Sequence, residues 1–257
     1  GPGLIGALLV GVSAAKSLSL AWDKPFIGVN HLEAHLYAGW LDDPTLEFPL
    51  VVLLVSGGHT MIIEMRGHGD YTILGRTIDD AAGEAYDKVA RYLDLGYPGG
   101  PVIDRVSADG DPASIDFPRA MMHEGLDFSF SGLKTAVVNH VRRNPGVRSV
   151  DVAASFQAAV VDVLCAKTLK AAQQVGARGV VLGGGVAANS LLRSEMQRRG
   201  AEAGLKVALP SRAMCTDNAA MIASAAWHRV RSDGPMGLDC GAWPNLKLSE
   251  VPRSTAS

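Results

Sequence analysis

Cysteine is scarce: three residues in 257, Cys165, Cys215 and Cys240, lie scattered along the chain. So few exclude a disulfide framework or a zinc ribbon and favour a reducing, cytoplasmic setting, with the thiols read as small buried hydrophobes. Neither sign of charge predominates. Lys and Arg total 24 against 26 Asp and Glu, so the summed field gives no pull toward nucleic acid, and such a partner needs a local basic patch. The apolar opening, residues 1–22, lacks the basic start of a signal peptide. Its glycines, alanines, serines and Lys16 suit close helix packing better than a membrane span, so no membrane is expected as a partner. The P-loop pattern G-x-x-x-x-G-K-[ST] is missing, which excludes that fold.

What is present is ample apolar material, 47% of residues, in alternating strand and helix patterns. The opening reads as a buried helix. A helix that apolar needs a sheet to cover it, so strands are expected upstream of Gly1. "PFIGVN" reads as a strand, "LVVLLVSGGHTMIIEM" as a hairpin with a glycine tip, and "YTILGRT" as a third strand. The helical "AAGEAYDKVARYLDLG" follows, closed by Gly96, and then a rigid loop "YPGGP". From Ser131 the pattern turns helical, with strands at "GVVLGG" and "LKVALP" and a last helix at "TDNAAMIASAAWHRV". The expected organisation is an α/β chain of two lobes, residues 1–115 and 116–257, the second carrying an irregular tail from Gly234.

His31 and His35 in "NHLEAHLY" stand four apart, on one face of a helix, and can reach one ion; the plain alternative is a packing pair. Glu33 between them is turned about 200° from that face, which sets aside a zinc-protease reading based on H-E-x-x-H. Three glycine loops offer backbone amides to an anion. "GPGLIG" is rejected as a dinucleotide fingerprint, because no strand precedes it and Asp23 comes before the strand rather than after it. "VSGGH" and "LGGGVAAN" are each weak alone and stronger together. Asp79 and Asp80 read as helix caps. Arg142 with Arg143, and Arg193, Arg198 and Arg199, form the best basic patches for RNA, unless they are ordinary solvated helix faces.

Seven motifs in order, "GPGLIGALLVG", "NHLEAH", "LLVSGGHT", "DDAAGEAYDKVARYLDLGYPGGP", "FSFSGLKT", "GGGVAAN" and "CTDNAAMIA", resemble the bacterial tRNA adenosine threonylcarbamoyltransferase family, TsaD, within the two-lobed actin-like ATPase (ASKHA) superfamily. Members begin with a further strand hairpin bearing a phosphate loop and acidic residues, so the first lobe is expected to be incomplete. The resemblance implies a metal-dependent acyl transfer. The threonylcarbamoyl group passes from threonylcarbamoyl-AMP to the exocyclic amine of the adenosine beside the anticodon, in tRNAs reading codons that begin with A. It implies one divalent ion, iron or zinc, on His31, His35 and Asp217, although Asp217 alone also reads as a helix cap. It assigns nucleotide contacts to Leu54, Val55, Ser56, Gly57, Gly58, Asp87, Gly100, Asp104 and Asn189; by position, Asp87 also reads as an exposed partner of Arg91 and Asn189 as a cap. Implied partners are tRNA, a degenerate actin-like paralogue and a small P-loop ATPase. No residue stands out as general base. The rival readings are an actin-like kinase or ATPase and a non-catalytic scaffold.

Overall fold

Leu50–Val55 forms strand β1 with all six residues buried, because it has a neighbour on each side and helices on each face. The chain reverses through Gly57 and Gly58 into β2 (Thr60–Gly67), paired antiparallel from Leu50↔Met65 to Val55↔Thr60, and β3 (Asp70–Arg76) extends the meander. On the other side of β1 runs β4 (Gly179–Gly183), parallel, with Leu50 opposite Gly179 and Leu54 opposite Gly183. Strand β5 (Lys206–Ala208) follows outward. The computed structural model describes residues 1–251, and among them the five strands form one sheet of order β3-β2-β1-β4-β5. Residues 252–257 of the expected tail lie outside the described residues.

Helices α1 (Ile5–Trp22) and α2 (His31–Asp42) precede the sheet. Between β3 and β4 come α3 (Ala82–Tyr92), α4 (Gly99–Ser107), α5 (Ser131–Arg143) and α6 (Ser149–Gln174). Helix α7 (Ser190–Glu202) lies between β4 and β5, and the short α8 (Arg212–Cys215) and α9 (Ala219–Asp233) come last. The pleat sorts β1 onto two cores. Val51, Leu53 and Val55 share one core with Tyr86 of α3 and Phe156 and Val160 of α6, whereas Leu50, Val52 and Leu54 share the other with Leu36 and Tyr37 of α2 and Met221 and Ala225 of α9. Each such side chain contributes about 1.5–3 kcal/mol of apolar burial.

Four expectations are corrected. The boundary between residues 115 and 116 does not separate two sheets: β1–β3 and β4–β5, one set on each side of it, share a sheet through the β1–β4 pairing. A parallel pair needs a long crossover, and α3–α6 supply it. Residues 25–30 form no strand but a single bridge, Phe26↔Met236, for want of a partner strand. Helix α3 ends at Tyr92, short of Gly96, and Gly99 and Gly100 of the expected loop open α4. Helix α1 exists but buries no residue; Leu9, Val10, Leu20 and Trp22 are exposed, with no described strand beside them. By length and composition alone, α1 is also apolar enough to cross a membrane.

The serines of "FSFSG" have a structural task. Asp79 accepts from the hydroxyls of Ser129 and Ser131, 2.6 Å each, and from the Phe130 N–H at 2.9 Å, holding the start of α5 rather than that of α3.

Where α2, the β2–β3 turn and α9 meet, the His68 and His228 rings stack at 3.5 Å between centroids, and Tyr37 stacks on both at 5.6 and 5.2 Å. Burial, reinforced by His228, pushes His68 down to about 4. The folded protein therefore binds this proton less readily than the unfolded chain, and its contribution is present above pH 6.5 and lost as pH falls toward 4. We expect the denaturant midpoint to fall more steeply between pH 6.5 and 4 in the parent than in His68→Phe; parallel profiles would contradict this.

Candidate metal centre

The centre begins with a helix cap. Asn30 Oδ1 accepts from the N–H groups of Leu32 and Glu33 at 2.9 and 3.2 Å, an arrangement that contributes about 1 kcal/mol and fixes where α2 starts. His31 is therefore its first residue and His35 lies one turn on, their rings edge to face at 4.8 Å. The third group comes from the far end of the chain. Asn218 caps α9 by accepting from the Met221 N–H at 2.9 Å, so Asp217 is released from the capping role open to it in the sequence. Its Oδ1 lies 3.3 Å from Nε2 of His31 and 3.3 Å from Nε2 of His35. One ligand atom from each of the three residues lies within 4.8 Å of the others.

Two imidazole nitrogens and a carboxylate oxygen, on helix ends and open on one side, suit a borderline ion such as zinc or iron better than magnesium. The protonation state agrees. Burial first, then neighbouring His31, holds His35 below the ordinary imidazole range despite Asp217, a shift toward the neutral form that ligates. His35 Nδ1 is buried and has no hydrogen-bond partner among the described residues. The usual device for orienting a ligating histidine, a bond from its second nitrogen, is not what holds this ring.

The three residues line a cavity of about 540 Å³ whose other walls include Ser56, Gly57, His59, Gly185 and Thr216. The turns after β1 and β4 meet here because the two strands are parallel neighbours. Their approach demands glycine: Gly184 has φ +87°, and a Cβ there would stand 2.5 Å from the Val55 carbonyl oxygen. Gly83 does the same for α3, since its Cβ would lie 2.6 Å from the Ser56 carbonyl oxygen.

Of the residues assigned to nucleotide, Ser56 and Gly57 line this cavity and Gly58 is exposed on the same turn. The side chains of Leu54 and Val55 are buried in β1, leaving only their backbone to serve. The others stand apart from the histidines. Asp87 accepts from the Gly99 N–H at 2.7 Å, next to Gly100, and borders a separate cavity of about 230 Å³ with Arg91 and Tyr97. Asp104 accepts from the N–H and hydroxyl of Ser190 at 3.1 and 2.7 Å. Asn189 caps α7 through the Leu192 N–H and donates to Gln157 Oε1 at 2.7 Å. Asp87 thus ties α3 to the start of α4, Asp104 ties α4 to the start of α7, and Asn189 ties that start to α6.

His59 was missed. It sits directly after the glycine tip, where the sequence offered a turn, yet it lines the cavity, and burial followed by His31 pushes its pKa down. The basic patch on α7 is corrected: Arg198 pairs with Glu195 and Glu202, Arg199 with Glu195 and Asp162, and Arg193 donates to the Pro210 carbonyl. Arg142 and Arg143 are exposed at the end of α5.

Residues 1–224 match the family profile described as TsaD, tRNA N6-adenosine threonylcarbamoyltransferase. Curated proteins of that name are similar throughout. The one from Symbiobacterium thermophilum is 53% identical over 251 residues, covering 96% of this chain and 74% of its own length. That of Moorella thermoacetica is 55% identical over 256 residues, 97% and 74%, and that of Thermotoga neapolitana 52% over 249 residues, 96% and 76%. Among solved structures, HypF from T. kodakarensis superposes with a TM-score of 0.65 at 16% identity, over 84% of this chain and 39% of that one. A full-length HypF in its phosphate- and nucleotide-bound form gives 0.69 at 14%, over 87% and 46%. At such identities the likeness speaks for the fold alone.

The geometry makes a direct demand. We expect Asp217→Asn to weaken Zn²⁺ binding, measured by competition with a chromophoric chelator, at least about 100-fold. Because this side chain is exposed, unfolding of the metal-free protein is expected to change by no more than about 0.5 kcal/mol. Unchanged affinity would remove Asp217 from the ligand set.

Proposed function

Because the chain belongs to the tRNA N6-adenosine threonylcarbamoyltransferase (TsaD) family and has its actin-like α/β fold, we propose that it modifies tRNA by transferring threonylcarbamoyl from threonylcarbamoyl-AMP to the exocyclic amine of the adenosine beside the anticodon. It is a transferase; the relatives' names favour neither a kinase or ATPase nor a scaffold. The observation that carries the finer reading is the meeting of His31, His35 and Asp217 at the wall of one cavity, although the aspartate lies at the opposite end of the chain from the histidines.

The exocyclic amine of adenine is a poor nucleophile, so alignment against the carbamoyl carbon has to supply much of the acceleration. Gly57 and Gly185 are exposed on the cavity wall, with no side chain between their backbone and a bound anion, which suits them to hold the phosphate of the departing AMP without a covalent intermediate. Ser56 Oγ accepts from the His59 N–H at 3.1 Å and keeps this turn tight. Held by His31, His35 and Asp217, an iron or zinc ion would act as Lewis acid toward an oxygen of the donor. An unpaired anticodon-loop base is presented at little cost.

The same reading extends to the setting: a cytoplasmic complex in which a degenerate actin-like paralogue and a small P-loop ATPase assist. The exposed apolar side of α1 supports a protein contact of this kind. The test is reconstitution with tRNA, threonine, bicarbonate, ATP and the accessory proteins, followed by mass spectrometry of the nucleosides. We expect the modified adenosine from the parent and at least about a tenfold loss from His31→Ala. ATP turnover by this protein alone, with no modified nucleoside from the full mixture, would favour the kinase or ATPase instead.

A further inference from the structure

The residue between the two histidines points the other way and is not idle. Glu33 is 1% exposed, and its Oε1 accepts from Nε of Arg229, 6% exposed, at 2.7 Å. Arg229 also donates to Asp233 on its own helix at 2.7 Å and to the Tyr71 hydroxyl of β3 at 2.9 Å. Through Arg229, a buried network thus ties α2, α9 and β3 together.

Its position relative to the ion ligands gives it meaning. Glu33 lies about 200° around α2 from the face of His31 and His35, and Arg229 lies roughly three turns along α9 from Asp217. The α9 segment therefore meets α2 at two places, Asp217 just before the cap at the ligand face and Arg229 within the helix at Glu33. Asp217 is 77% exposed and, among the described residues, His35 Nδ1 has no hydrogen-bond partner, so the side-chain contacts shown for these two ligands are with the ligand set itself. Their convergence depends on how α2 and α9 are set against each other, and Asn30 and Asn218 fix only where each helix begins.

We propose, resting on the metal reading above, that the buried Glu33–Arg229–Tyr71 network is a positioning device that fixes α2 against α9 and thereby holds His31, His35 and Asp217 at ligating separation. It touches neither ion nor substrate. Its directionality matters more than its strength, since a buried ion pair contributes little net stability over an apolar replacement.

The test uses Co²⁺ as probe, reading affinity by chelator competition and ligand geometry from the visible d–d absorption, with circular dichroism and thermal unfolding recorded alongside. Glu33→Gln is expected to lower Co²⁺ affinity about 10- to 100-fold and alter the d–d band while unfolding remains cooperative. Tyr71→Phe, which removes one hydroxyl from the network and keeps the ring, is expected to lower it about three- to tenfold. Parent affinity and spectrum in Glu33→Gln would overturn the proposal, and if that variant does not fold, the same result in Tyr71→Phe would. Failure of the parent itself to bind Co²⁺, or parent-like binding by His31→Ala, would overturn the metal reading rather than the positioning role.

Discussion

The parallel pairing of β1 with β4 is the constraint on which the rest depends. Leu50↔Gly179 through Leu54↔Gly183 fixes the two strands side by side and pointing the same way, so the turns that follow them emerge at the same end of the sheet. Ligands of open α/β sheets collect at such strand ends. Here the result is two glycine turns close enough that a side chain at Gly184 would strike the Val55 carbonyl. The helices between β3 and β4 make this pairing possible, and the all-apolar sequence of β1 records that it is covered on both faces.

On that frame the candidate metal centre is assembled from α2 and from the residue just before the cap of α9. Helices α2 and α9 pack against each other on one face of the sheet. Helix α2 presents His31 and His35 from its first two turns, Asp217 stands just before α9, and each helix is started by an asparagine cap. The electrostatics divide the labour. Burial shifts His35 toward its neutral, ligating form, exposure leaves Asp217 able to approach an ion, and the charges that must be buried, Glu33 and Arg229, neutralise each other on the far side of α2.

Much of this was legible in the sequence, and the failures have physical causes. Four-residue spacing placed His31 and His35 on one face and turned Glu33 away, because helical geometry is local. The glycine tip at Gly57 and Gly58 and the triplet before Val186 were visible as turns, but their adjacency was not, since strand order is a long-range property that neither turn encodes. That is why the boundary after residue 115 misled: a break in pattern between strand-rich and helix-rich stretches was a crossover within one sheet. Helix α1 was legible as a helix but not in its exposure, which depends on what stands beside it. The arginines of α7 looked like an RNA patch because Glu195 and Glu202 lie on the same helix and Asp162 on another, and charge runs do not show their partners. Asp217 was reachable only through family resemblance. Its distance in sequence from the histidines hides a meeting that the α2–α9 packing creates.

The central claim is that His31, His35 and Asp217 hold one ion at the cavity where the turns after β1 and β4 meet. Crystals of the protein grown with iron or zinc, with anomalous scattering recorded on both sides of the metal edge, test it most directly. The account predicts an anomalous peak about 2.0–2.2 Å from Nε2 of both histidines and from a carboxylate oxygen of Asp217. A peak on other residues, or one on the histidines with Asp217 turned away into solvent, would contradict it.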